Sequence, residues 1–440
     1  MTSSTPSVAP QPGPPDATET AFSKITWRLI PLLFICYLVA NIDRVNLSIA
    51  QLQMKTDLGF SDAIYGLGAG IFFLSYFLFE VPSNLLLERL GARRILALLM
   101  IGWGLTSSLT MFVRVPMELY VLRFLLGVFE AGFFPGVVFY LTRWYPLVRR
   151  VRALGLFSSA LALANVVGGL VSGWIMKGMG DVAGLRGWQW LFPLEGLPCI
   201  LLGFVLLVWL RESADHVHWL NEDEKRAHAA AMQADAIHAH AHHNFAQALA
   251  NPRLYSFAFV YFAMIAGIAI LTFWIPTIIH GLGIKDIAAI SMLSALPSAV
   301  SATSMIVVAA HAQRMHEFRW HLATATFIAA IALAALPACT GSFAASMALL
   351  CIAAGAVFST VPVFWGMASA VFTGTGAAGS IALISSLGLI AAFISSPVTG
   401  WLKTTTGTFT ASLYAHAAMV ALGGMVALLA TRSAPSAGRS

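Results

Sequence analysis

Apolar residues run along this chain in long stretches, near 27–50, 64–87, 95–113, 117–142, 153–175, 191–210, 254–279, 288–310, 321–337, 343–371, 378–401 and 410–431. Each is long enough to cross bilayer hydrocarbon as a helix of about 20 residues. The pattern predicts an all-α membrane protein of twelve transmembrane helices, and an even number of crossings puts both termini on one side. One connection, Arg211–Pro252, is much longer than the others and divides the helices into six plus six. The expected organisation is a disordered tail over 1–24, a six-helix bundle over 25–210, a linker over 211–252, a second bundle over 253–432 and a tail over 433–440.

Composition agrees with that pattern. With 58% hydrophobic residues, 10% charged residues and a mean hydropathy of +0.80, the chain is excluded from the ordinary soluble domains. Met1–Phe22 is rich in Ser, Thr, Pro and Ala and has no apolar core, so it reads as a tail and not as a signal peptide. Of the 25 Lys and Arg residues, Arg44 and Arg123 lie inside spans. Lys55, Arg114, Lys177, Arg186, Lys285 and Lys403 fall on the side opposite the termini, and all the rest fall on the terminal side. The positive-inside rule then places both termini in the cytoplasm, in a multi-pass cell (inner) membrane protein. The net charge of +6 follows from this bias and calls for no nucleic-acid partner. Cys36, Cys199, Cys339 and Cys351 all sit in apolar spans, where they behave as small hydrophobes, and no disulfide or metal site is expected.

Charge inside the spans points to chemistry. Arg123 and Glu130 are seven residues apart in the fourth span, a spacing that returns to the same helix face roughly 10 Å along the axis. Asp43 and Arg44 are adjacent in the first span. An ionised side chain at a helix centre costs about 2.5–3.5 kcal/mol on insertion scales, so these four should face partners or a water-filled cavity. Their charges sum to zero, and bringing the two helices together pairs them. Some buried ion pairs only fix helix register, but two at matching depth favour function.

The remaining polar residues have plainer readings. Glu80 fits a cap or a partner for the basic loops, Glu195 a structural bond to a backbone amide, and His416 a satisfied core histidine. Asn165 fits a cavity position as well as a helix-to-helix bond. Gly66, Gly68, Gly70, Gly168 and Gly169 mark close helix packing. Asn46-Leu47-Ser48 lies inside a span and is discarded as a glycosylation site. In the linker, Asn221 reads as an N-cap followed by acids, and its histidines, including His216, His218, His228, His238, His240, His242 and His243, read as a solvated run and not a metal site. The loop Glu88, Arg89, Leu90, Gly91, Ala92, Arg93, Arg94 follows the second span, and Gln313–Arg319 stands at the same place in the second half. Such loops can bond neighbouring helix ends and hold one face closed. The second copy lacks the leading acid and should latch more weakly.

The twelve-helix layout and the 88–94 loop resemble the major facilitator superfamily. Within it, CYLVANIDRVNLSIA (36–50), FEVPSNLLLERLGARR (79–94), LRFLLGVFEAGFFPGVVFYLTRWYP (122–146), LRGWQWLF (185–192) and the 362–388 stretch are similar to the anion:cation symporter family, which includes tartrate, sugar-acid, phthalate, hydroxyphenylacetate and nicotinate permeases. The resemblance implies two pseudo-symmetric six-helix bundles working by alternating access. It implies Asp43 and Glu130 as proton-coupling carboxylates, and Arg44, Arg123, Tyr76, Trp365, Ser385 and Asn165 as substrate-binding residues. Glu88, Arg89, Gly91, Arg93 and Arg94 would form the gating loop. Protons serve as the coupling ion, with no cofactor and no metal. Where the family commonly carries two asparagines on the eleventh helix, this chain reads Ile384-Ser385-Ser386-Leu387-Gly388-Leu389. The loss argues for a less hydroxylated substrate.

The expected function is proton-coupled import of a small organic carboxylate by a monomeric carrier in the lipid bilayer. A passive facilitator or exchanger is the alternative. An ATP-driven pump would need a G-x-x-x-x-G-K-[ST] loop, which the chain lacks, and the spans gather no catalytic set, so no enzyme is expected.

Overall fold

The computed structural model describes residues 15–237, 252–372 and 377–430, and all regular structure among them is helical. In chain order the helices are α1 Pro15–Asp57, α2 Asp62–Leu90, α3 Ala92–Leu109, α4 Pro116–Glu130, α5 Phe133–Thr142, α6 Leu147–Gly178, α7 Gly187–Trp209, α8 Glu222–Ile237, α9 Pro252–Gly281, α10 Ile287–Arg314, α11 Arg319–Ala335, α12 Phe343–Val371, α13 Ala377–Thr406 and α14 Thr410–Ala430. Twelve spans are long and apolar enough to cross a membrane. The fourth of them is α4 and α5 together, interrupted at Ala131-Gly132 just after Glu130.

The first helix differs from the sequence expectation. Residues 1–24 were expected to form a disordered tail, yet helix begins at Pro15, whose fixed φ suits a first turn. Residues 1–14 and 431–440 lie outside the described residues. The early helix is held by packing: Ala21, Phe22 and Ile25 are buried, and the Phe22 ring lies 6.0 Å from that of Tyr145 and 5.5 Å from that of His228.

Part of the linker is also docked and not solvated. Asn221 Oδ1 accepts from the Glu224 amide at 2.7 Å and Glu224 Oε2 from the Asn221 amide at 2.9 Å, a reciprocal cap that starts α8. Lys24 pairs with Glu224 at 2.7 Å, fixing α8 against the start of α1. His228 is buried on the carbonyl of Trp144, 3.1 Å away, and burial lowers its pKa, which keeps the ring neutral. His238, His240, His242 and His243 lie outside the described residues, as does the side chain of His216.

The halves meet chiefly where α2 packs on α13 and α6 on α10. Their polar contacts gather on the face opposite the termini. Gln51 bonds Thr277, Tyr65 donates to the Phe273 carbonyl at 2.7 Å, and the Ala63 amide donates to Thr404 at 3.0 Å. Asp62 takes both Lys55, at 2.8 Å, and Lys403, at 3.3 Å, across the seam. The polar contacts described on the terminal face run instead within a half or to the linker, as with Arg319 on the Leu428 carbonyl at 2.8 Å. The two halves are therefore held together on the face away from the termini.

Glycine makes that contact possible. A Cβ on Gly66 would lie 2.5 Å from the Ser396 carbonyl oxygen, and one on Gly70 would lie 2.8 Å from that of Phe393. Backbone cannot yield as a side chain can, so Gly66→Ala should push α2 and α13 apart. A cysteine at Thr404→Cys, in a background without the four native cysteines, should then react faster with a membrane-impermeant maleimide. An unchanged rate in folded protein would contradict this role for Gly66. His416 is satisfied as expected, with Ser395 Oγ 2.7 Å from Nε2 and the Ser412 carbonyl 2.8 Å from Nδ1.

Candidate functional site

Asp43 and Arg44 are neighbours in sequence, but successive residues of a helix point about 100° apart, so they serve different partners. Asp43 is fully buried and accepts three hydrogen bonds: from Trp103 Nε1 at 2.8 Å, from Asn46 Nδ2 at 2.8 Å and from Ser107 Oγ. Arg44 turns the other way and forms an ion pair with Glu130. Adjacency in sequence would favour Arg44 as the partner of Asp43, but helix rotation outweighs it and gives Arg44 to Glu130.

Arg123, at 2% exposure, lies on the same face of α4 as Glu130, as their spacing predicted. Its guanidinium stands 5.0 Å from the centre of the Phe72 ring, and that of Arg44 stands 5.8 Å from the same ring. Both cations thus lie over one aromatic ring, whose π-system attracts them. Arg123 Nε and Nη2 have no acceptor, and no carboxylate lies within ion-pair distance of it among the described residues. A buried guanidinium with free donors is costly unless an anion completes it. Its fork suits a carboxylate held in two bonds.

Phe72, Trp103, Ser107 and Asn46 are functional neighbours that the sequence reading missed. Trp103 and Ser107 stand four apart on α3, and Asn46 stands three beyond Asp43 on α1, so each set shares a helix face. Polar groups repeating at that spacing in an apolar span were the available signal. Glu195 also departs from expectation: it accepts from the Ser172 hydroxyl at 2.7 Å and not from a backbone amide.

The other expected binding residues are placed less uniformly. Tyr76 is half-buried, its ring 6.1 Å from that of Phe72, so it joins the arginine cluster. From the second half, Trp365 is half-buried with its ring 5.0 Å from Tyr261 and 5.3 Å from Phe364. Ser385 is half-buried, whereas Ser386 spends its hydroxyl on the Ala382 carbonyl at 2.9 Å. Asn165 lies on α6, and its side chain is outside the described residues. A cavity of about 80 Å³ between α1, α6, α9, α10 and α12 is lined by Ser48, Thr272, Ser294, Ser298 and Ser301 among others, and holds none of the four charged groups.

The loop expected to gate grips its own half. Gly91, at φ 89°, turns the chain from α2 into α3 in a conformation that glycine tolerates best, and a Cβ there would meet Glu212 at 2.8 Å. Glu212 accepts from the Arg93 amide at 2.9 Å and from Arg143 at 3.0 Å, while Arg93 Nε donates to the Leu207 carbonyl at 2.6 Å. Glu88, Arg89 and Arg94 are exposed. Glu212 and Arg143 are thus the loop's anchors, and sequence reading passed over both. In the second copy, Glu317 caps α11 by accepting from the amides of Trp320, at 2.7 Å, and His321, at 3.2 Å.

Residues 33–388 match the Major Facilitator Superfamily. The chain is 42% identical over 406 residues to NicT, a candidate metabolite transport protein of Pseudomonas putida, covering 92% of this chain and 93% of that one. It is 39% identical over 424 residues to a candidate tartrate transporter of Agrobacterium vitis, covering 96% and 97%. A solved bacterial homologue of the human lysosomal transporter Spinster, in an inward-facing and occupied conformation, superposes with a TM-score of 0.77 at 17% identity, covering 92% of this chain and 96% of that one. The twelve spans, the charged pair of helices and these likenesses together make the chain a transporter of the major facilitator superfamily, of the anion:cation symporter type.

Proposed function

We propose that the protein is a proton-coupled importer of a small organic carboxylate, with both termini in the cytoplasm. The observation that carries this reading is the Arg44–Glu130 ion pair beside the unsatisfied guanidinium of Arg123. In the empty carrier Glu130 occupies Arg44. An incoming carboxylate takes the free donors of Arg123 and competes for Arg44. Glu130 is then left as a buried anion without a partner, and a proton neutralises it at far lower cost than leaving it charged. Substrate and proton thus enter together, which is symport. Asp43, held by three donors, keeps its charge and steadies the site.

On this reading the body of the substrate would lie toward the aromatic residues of the second half. Tyr261 and Trp365 are aromatic, and Ser386 is already bonded internally. A sugar acid would bury hydroxyls without partners at about 1–3 kcal/mol each, so an aromatic or sparsely hydroxylated acid fits better. The name of the Agrobacterium relative points to a dihydroxy acid, which keeps the tartrate class within the range to be tested. With the far face held shut, the terminal face is the side from which the site would be reached in this arrangement, as for a carrier about to release or rebind on the cytoplasmic side.

Purified protein in liposomes tests the proposal. An inward proton gradient should drive accumulation of a labelled aromatic carboxylate above its equilibrium level, and its uncharged amide should not compete. Uptake that stops at equilibrium with or without the gradient would favour a passive facilitator.

A further inference from the structure

The membrane interior holds a third acid that the transport reading does not use. Glu195 on α7 is 4% exposed, its Oε1 accepts from Ser172 on α6, and its Oε2 has no donor. Asn46, which donates to Asp43, stands close to Glu195 without bonding it, and Asn46 Oδ1 is itself buried without a donor. The titratable groups beside this acid are Asp43 on α1 and Cys199 on its own helix, neither of them a cation. Three buried carboxylates, Asp43, Glu130 and Glu195, thus stand with two guanidiniums, Arg123 buried and Arg44 half-buried. Fully ionised, this group would carry one uncompensated negative charge in a medium that penalises such a charge heavily.

One proton removes that charge, and the contacts decide where it sits. Asp43 accepts three hydrogen bonds and Glu130 pairs with Arg44, so both are served as anions. Glu195 has one neutral donor. We propose that Glu195 is a resident neutral acid of the carrier, which positions Asp43 by leaving the Asn46 amide free to serve it. An ionised Glu195 would compete for that amide and repel Asp43. The protonation itself does not depend on the transport reading, although its use in the cycle rests on it.

Infrared spectroscopy of the full-length protein at neutral pH tests this. The wild type should show a carboxylic acid C=O band that shifts in D2O, persists in Glu130→Gln and disappears in Glu195→Gln. Should Glu195→Gln fail to fold, Glu80→Gln/Glu130→Gln protein labelled with ¹³C-glutamate gives the same answer, because Glu195 is then the one buried glutamate left in the spans among the described residues and the isotope moves the band only if a glutamate carries it. A band that is absent, unshifted by the label or intact in Glu195→Gln would overturn the proposal. Proton uptake on substrate binding is a separate readout: its absence with the infrared band present would count against symport and leave Glu195 standing.

Discussion

Glu130→Gln carriers are expected to lose proton-driven accumulation completely while still exchanging labelled substrate across the membrane. Glutamine reproduces the shape and neutrality of the protonated acid but can neither take up nor give back a proton. Arg44 loses its ionic partner in the empty state and stays available to the anion, so binding survives and the link to protons does not. The assay compares pH-gradient uptake with counterflow in the same liposomes. Full accumulation by Glu130→Gln would remove Glu130 from the coupling step and shift attention to Asp43, the other carboxylate close to the arginines.

Arg123→Lys should bind substrate about 10- to 150-fold more weakly, with normal insertion into the membrane. Lysine keeps the charge but loses the planar fork and the stacking on Phe72, whose ring centre is 5.0 Å from the guanidinium. A hydrogen bond to a charged group contributes about 1.5–3 kcal/mol, and each 1.4 kcal/mol is a factor of ten, which sets the range. Equilibrium binding on purified protein reads it directly. Unchanged affinity would show that Arg123 does not touch the anion. Phe72→Leu should weaken binding in the same direction by less, because it removes the ring beneath both guanidiniums and leaves their hydrogen bonds in place.

Twelve spans could be read from sequence because each is a long apolar run, and nothing but a helix satisfies its own backbone in a bilayer. Arg123 and Glu130 could be placed on one face for a similarly local reason, the periodicity of a single helix. What could not be read was pairing between helices. Arg44 finds Glu130, and Asp43 finds Trp103 and Ser107, because of how α1 is rotated against α3 and α4, and no local pattern encodes that rotation. The start of α1 is a parallel case. Its composition resembles a disordered tail, and contacts such as those of Phe22 with Tyr145 and His228 and of Lys24 with Glu224 hold it as a docked helix. Glu195 looked structural because its partner stands on another helix, Ser172 on α6.

The exchange of Arg44 between Glu130 and substrate makes one quantitative demand. If substrate binding draws a proton onto the carrier, linkage requires that lowering pH tighten substrate binding by the factor with which substrate tightens proton binding. Affinity should rise as pH falls, then decline once the substrate's own carboxylate is protonated and loses its hold on the arginines. Calorimetric titration across this range, in buffers of different ionisation enthalpy, counts the protons taken up per substrate bound. Net uptake alongside a rising affinity is the predicted result; zero uptake at every pH with a flat affinity would contradict the exchange.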